Sequence, residues 1–106
     1  MELTILMVPE CPHVPVLVER LAEVLVDRSG VAVPRQVVAD DREAARYGMR
    51  GSPTLLIDGV DPFADQAVPP SLSCRLYRDS GGRMEPVPSV AALRQALRER
   101  DGGERS

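Results

Sequence analysis

Leu3-Thr4-Ile5-Leu6-Met7-Val8-Pro9-Glu10-Cys11-Pro12-His13-Val14-Pro15-Val16-Leu17-Val18 joins two hydrophobic periods through a single break. Leu3–Val8 is a short continuous apolar run that stops at Pro9-Glu10. Its length and abrupt end fit a strand covered on both faces, as in a parallel sheet between helices. Beyond the break, Val14, Leu17, Val18, Leu21, Val24 and Leu25 recur every three or four residues, the period of an amphipathic helix. Pro12 and Pro15 fit that helix only in its first turn, where backbone N–H groups have no intrahelical acceptor. The helix is therefore expected to start at about Cys11 and to stop at Gly30.

Working outward, Val31–Ala39 has the composition of a second strand. Pro34 cannot donate to a ladder, which puts this strand at or near a sheet edge. Asp40 and Glu43 have the spacing of a capping box, so a short helix is expected from Asp40 to about Met49. Gly51-Ser52-Pro53 breaks the chain, Thr54–Ile57 is a third strand, and Asp58-Gly59 is a turn. Residues 60–72 hold Pro62, Pro69 and Pro70 and show no period, so this long connection is either functional or mobile. Cys74–Arg78 alternates as a strand does, Asp79–Gly82 is a hairpin turn, and Arg83–Val87 is the partner strand. Ser89 caps a last helix with Val90, Leu93, Ala96 and Leu97 on one face; Arg94, Arg98 and Arg100 fall on its solvent side. Together these predict one α/β domain over residues 1–100. Its elements run β-α-β-α-β-β-(β)-α around a central mixed sheet with helices on both faces, followed by a flexible polar tail, residues 101–106.

Composition narrows the chemistry. The chain has 106 residues, enough for one domain and too few for two. With 43% hydrophobic and 27% charged residues it has the make-up of an ordered globular protein rather than a disordered one. All 13 basic residues are Arg, which GC-rich codon usage would explain and which excludes Schiff-base chemistry and a P-loop lysine. The net charge is −3 and only 3% of residues are aromatic, so neither the basic face nor the stacking platform of a nucleic-acid binder is present. Two cysteines are too few for a disulfide scaffold. The first apolar run follows Met1-Glu2 without a basic segment and is too short to span a bilayer. The expectation is a cytoplasmic protein with reduced thiols, no membrane partner and no cofactor.

A few residues can carry chemistry. Cys11 lies where a strand hands over to a helix, and the positive end of a helix favours a thiolate there. The plain alternative is a small core residue. Pro53 lies between a helix and a strand, where a cis X–Pro bond would shape a tight functional turn and a trans bond would simply end the helix. Cys74 is either a half-buried strand residue or the distant partner of Cys11. The loop before it is long enough to bring it to Cys11, and bridged cysteines need Cα atoms within ~7 Å. His13, the single His, could steady a Cys11 thiolate or sit idle at the surface. One His and two Cys fall short of a structural zinc site. Asp58, Asp61 and Asp65 lack the glycine and terminal glutamate of a calcium loop and fit a solvated segment.

Val8-Pro9-Glu10-Cys11-Pro12-His13-Val14, followed by Tyr47-Gly48-Met49-Arg50-Gly51-Ser52-Pro53-Thr54-Leu55-Leu56-Ile57-Asp58-Gly59, resembles the thioredoxin superfamily. The resemblance implies a thioredoxin-like fold, with Cys11 as the attacking thiol, Pro53 as the cis-proline, and Pro12, Ser52 and Thr54 beside a bound chain. It covers about residues 3–98. The resolving cysteine of the family's C-x-x-C motif would fall at position 14, which is Val, so the motif is a monothiol one and cannot close a local disulfide. Monothiol members work with glutathione or bind metal, and with Lys absent Arg50 would face a glutathione carboxylate. Ser71-Leu72-Ser73-Cys74-Arg75-Leu76-Tyr77 is also similar to the second cysteine segment of alkylmercury (organomercurial) lyases, which cleave carbon–mercury bonds with two cysteines and a carboxylate. Asp61 or Asp65 would have to supply that carboxylate.

Three functions follow as expectations. The first is thiol–disulfide exchange through Cys11, with Cys74 as resolving thiol, on a protein or small-molecule partner. The second is binding or lyase-like handling of mercury or another soft metal by Cys11 and Cys74. The third is a thioredoxin-fold interaction module without turnover.

Overall fold

A computed structural model describes residues 2–26, 28, 30–65, 67–79 and 81–104, with side chains described as far as residue 100. Along the chain run β1 (Leu3–Met7), α1 (Val14–Val24), β2 (Arg35–Val37), α2 (Asp41–Tyr47), β3 (Arg50–Ser52), β4 (Thr54–Ile57), β5 (Ser71–Cys74), β6 (Tyr77–Arg78), β7 (Met84–Glu85) and α3 (Val90–Glu104). β1 is the middle strand of three, parallel to β2 and antiparallel to β4. Because side chains alternate along a strand, β1 feeds two cores. Leu3 and Ile5 pack with Leu55 and Ile57 of β4, Val14, Leu17 and Leu21 of α1, and Leu93, Ala96 and Leu97 of α3. Leu6 packs on the opposite face with Val38, Ala44 of α2 and Met49. The chain is therefore mixed α/β, with helices on both faces of this sheet.

The predicted single central sheet is not what forms. The strands divide into β2-β1-β4, β3-β5 and β6-β7. Pro53 has no N–H to give a ladder, and the cis Ser52–Pro53 bond lies between the end of β3 and the start of β4. The long connection after Asp58-Gly59 then carries the chain back so that β5 lies parallel to β3 instead of antiparallel to β4. A parallel pair needs a crossover of about a dozen residues or more, and this connection supplies it. The predicted strand Cys74–Arg78 is accordingly split, its first residue ending β5 and its last two forming β6.

Local signals account for the helix and turn boundaries. α1 begins at Val14 rather than near Cys11, with His13 at its N-cap and Pro15 in its first turn. Cys11 instead closes a turn, its N–H donating to the Val8 carbonyl at 3.2 Å. The helix ends at Val24, before Gly30. β2 occupies the edge that Pro34 predicts, although it is only three residues long. Asp40 caps α2 by accepting the Glu43 N–H at 2.8 Å, and Gly48 ends the helix at φ 76°. Asp58 and Gly59 both have positive φ, the two-residue turn that matches strand twist. Ile57 and Val60 exchange backbone hydrogen bonds across it. Asp79 organises the β6–β7 turn by accepting the Gly81 and Arg83 N–H groups; Ser80 lies outside the described residues, as does Gln66 of the long connection. Ser89 caps α3, which extends to Glu104 and so enters the segment read as a tail; residues 105 and 106 are outside the described set. Among the described residues no helix is long and apolar enough to cross a membrane.

Candidate functional site

Ser52 is the junction of the site. It is buried at the end of β3, and its hydroxyl accepts the Val8 N–H at 3.1 Å. Val8 in turn accepts the Cys11 N–H, so the turn carrying Cys11 is pinned to Ser52 through one residue. On its other side Ser52 pairs with Cys74 across β3–β5, and its carbonyl accepts the Arg75 N–H at 3.1 Å. Ser52–Pro53 is cis. The crossover thus takes Cys74 to the strand that ends at the cis bond. Both thiols are free; Cys11 is buried at 7% exposure and Cys74 is exposed.

The remaining predicted residues surround this junction unequally. Thr54 is fully buried, and its hydroxyl donates to the Gly51 carbonyl at 2.7 Å. Pro53 is buried and its carbonyl accepts the Tyr77 hydroxyl at 2.6 Å. Pro12 is exposed. His13 is half-buried and its ring makes no capping bond to α1. Among the described residues, no group of three or more His, Cys, Asp or Glu is placed to hold a metal ion.

A charged cluster beneath the cis-proline was not anticipated. Asp61, read from the sequence as part of a solvated loop, is buried and accepts from Arg75 Nη1 at 2.6 Å. Arg75 is itself buried; it also donates to Thr54 Oγ1 at 3.1 Å and to the Phe63 carbonyl at 2.8 Å. The second Asp61 oxygen accepts the Phe63 N–H at 2.9 Å. The guanidinium lies 4.5 Å from the Tyr77 ring centroid, and Phe63 meets that ring edge-on at 5.5 Å. These contacts satisfy the buried charges, and no buried side-chain polar atom among the described residues is left without a partner. Burial pushes the Tyr77 phenol up from its ordinary value; Arg75 opposes that, while Asp61 and Cys11 add to it. Asp61 and Arg75 carry no sequence signal for this pairing, because loop residues fourteen positions apart have no periodic relation.

Cys74 opens into a cleft of about 630 Å3, lined also by Arg50, Ser73, Arg75, Leu76 and Arg78. Arg50 is oriented there by donating from Nε to the Val68 carbonyl at 2.8 Å. Cys11 is not among the lining residues.

No protein-family model, curated protein or solved structure matches this chain. The site offers two free thiols, one buried and one exposed, both tied to Ser52 beside the cis Ser52–Pro53 bond.

Proposed function

We propose that the chain is a thioredoxin-like thiol protein that carries out thiol–disulfide exchange through Cys11, with Cys74 as the resolving thiol. The observation that carries this reading is the double attachment of Ser52, through Val8 to the Cys11 turn and through β-pairing to Cys74, next to the cis Ser52–Pro53 bond. The order of a strand, a cysteine turn, a helix, a second parallel strand, a helix and a cis-proline before an antiparallel strand supports it. In the reaction the Cys11 thiolate attacks one sulfur of a partner disulfide, forming a mixed disulfide and releasing one partner thiolate. The Cys74 thiolate then attacks the Cys11 sulfur, closing Cys11–Cys74 and releasing the second thiolate. The protein loses two electrons and the partner gains two. Cys11 is buried, so the first step requires the turn of residues 8–13 to open.

The test is single-turnover exchange with a model disulfide, followed by mass mapping of the cysteines. A Cys11–Cys74 bridge is expected in the wild type, and a persistent mixed disulfide on Cys11 in Cys74→Ser. Resolution at the wild-type rate in Cys74→Ser removes Cys74 from the reaction. A tight one-to-one mercury complex, lost in either single variant and formed without any exchange activity, replaces this reading with soft-metal binding.

A further inference from the structure

The cleft beside Cys74 has a composition that exchange alone does not require. Seven large hydrophobic side chains are exposed among the described residues, and three of them, Val68, Leu76 and Met84, line this one cleft. Scattered exposed apolar side chains are ordinary, but their concentration in one cavity marks a binding surface. The charged lining is equally one-sided. Arg50, Arg75 and Arg78 stand against Asp65. Asp61 balances Arg75. Set against Asp61 and Asp65, the three arginines leave one surplus formal positive charge at the cleft, in a chain whose net charge is −3. At about 630 Å3 the cleft falls in the range of ~300–1,000 Å3 that takes small ligands. Its open sulfur belongs to Cys74.

We infer that this cleft binds a small disulfide compound bearing a carboxylate and an apolar part, and that Cys74 holds half of it as a mixed disulfide. The exposed Arg78 guanidinium pairs with the carboxylate, and Val68, Leu76 and Met84 cover the apolar part. The Cys74 thiolate attacks one sulfur of the disulfide RS–SR. The Cys74–SR bond forms, the RS–SR bond breaks, and RS⁻ leaves with the electron pair and takes a proton from water. This step needs no second cysteine. Only a later transfer to Cys11 rests on the exchange reading above, in which Cys74 then becomes the point where a small thiol pool meets the Cys11–Cys74 pair.

Cys11→Ala leaves Cys74 as the one thiol and isolates the step. Its rates are measured with three disulfides: dithiobis-nitrobenzoate, which is anionic and aromatic; dithiodipyridine, which is neutral and aromatic; and cystamine, which is cationic. Each rate is divided by that of a neutral cysteine derivative free in solution, which removes intrinsic reactivity. At low salt the normalised rate is expected to be about tenfold higher for the anionic than for the cationic disulfide. The preference should shrink with added salt and in Arg78→Glu, an exposed change that leaves the buried Asp61–Arg75 pair in place. Equal normalised rates, or a preference unmoved by both salt and Arg78→Glu, overturn the inference. Mass mapping of the wild-type chain after a substoichiometric dose repeats the test without the Cys11 variant; modification confined to Cys11 also overturns it. A charge-selective Cys74 adduct without any Cys11–Cys74 bridge leaves the cleft standing and removes the exchange reading. A bridge formed without charge preference does the reverse.

Discussion

Gly51 shows how tightly one residue can bind the cis-proline region to the strand carrying Cys74. A Cβ at this position would lie 2.8 Å from the Arg75 Cβ and 3.2 Å from the Ser73 carbonyl, and φ is 108°. Neither obstacle is a flexible side-chain end. Gly51→Ala is expected to cost more than ~1 kcal/mol, read as a lower urea midpoint, because both backbone and packing oppose it. A gain in stability would refute the close approach of β3 and β5. The ion pair beneath is worth more to the fold as a unit than as a bond. Asp61→Ala strands a buried guanidinium and should cost about 3–5 kcal/mol. Tyr77→Phe, which leaves the Pro53 carbonyl without its donor, should cost about 1–3 kcal/mol. The reverse order would mean that the phenol, not the ion pair, holds the turn. Tyr77 also sets an alkaline limit. Its pKa in the folded chain is raised from an ordinary value of 10.0, chiefly by burial. The stability it contributes is complete below that ordinary value and declines as pH rises above it toward the raised one. Spectrophotometric titration of wild type against Tyr77→Phe should show the extra phenol ionising together with unfolding, not before it.

Elements differ in how far their neighbours along the chain define them. α2 was legible because its signals are local: Asp40 accepts the Glu43 N–H three residues on, and Gly48 supplies the left-handed end. Asp40→Ala is expected to cost about 1 kcal/mol, seen as a lower midpoint in thermal melts followed by helix ellipticity. An unchanged midpoint would mean that tertiary packing alone holds α2. α1 was legible in its face but not in its start. Pro12 and Pro15 each suit a first turn, and the choice fell to the Cys11–Val8 turn, which makes Val14 the first helical residue. β3 and β5 were illegible as a pair. They have three and four residues, and their partnership spans the long connection between them.

At the scale of the molecule, Asp58 fastens the two ends of the chain. It accepts the Glu2 N–H at 2.7 Å, and its second oxygen accepts from Arg100 Nε at 3.0 Å. Those bonds, that from Glu2 first and that from Arg100 second, hold its carboxyl below the ordinary value of 3.8. The stability it contributes is therefore present above that value and is lost as pH falls through the lowered one. Asp58→Asn should lower the urea midpoint near neutrality and flatten the stability profile below pH 3.8, so that variant and wild type converge in acid. An acid limb as steep as in the wild type would assign the loss to other carboxylates. This clasp was not legible either, since Arg100 reads as one of several exposed arginines on the last helix and Asp58 as a turn residue.

The sequence by itself determined what depends on nearby residues: the apolar run of β1, the amphipathic face of α1, the cap and stop of α2, and the Asp58-Gly59 and Asp79–Gly82 turns. Hydrophobic periods, caps and positive-φ turns act within a few residues, so they are written in order along the chain. Tertiary structure alone decided the division into three sheets, the return of Cys74 to Ser52, and the burial of Asp61 with Arg75. Each depends on where a long, proline-bearing connection sends the chain. That path is set by what the two cores bury and by which backbone and charged groups must find partners once water is excluded.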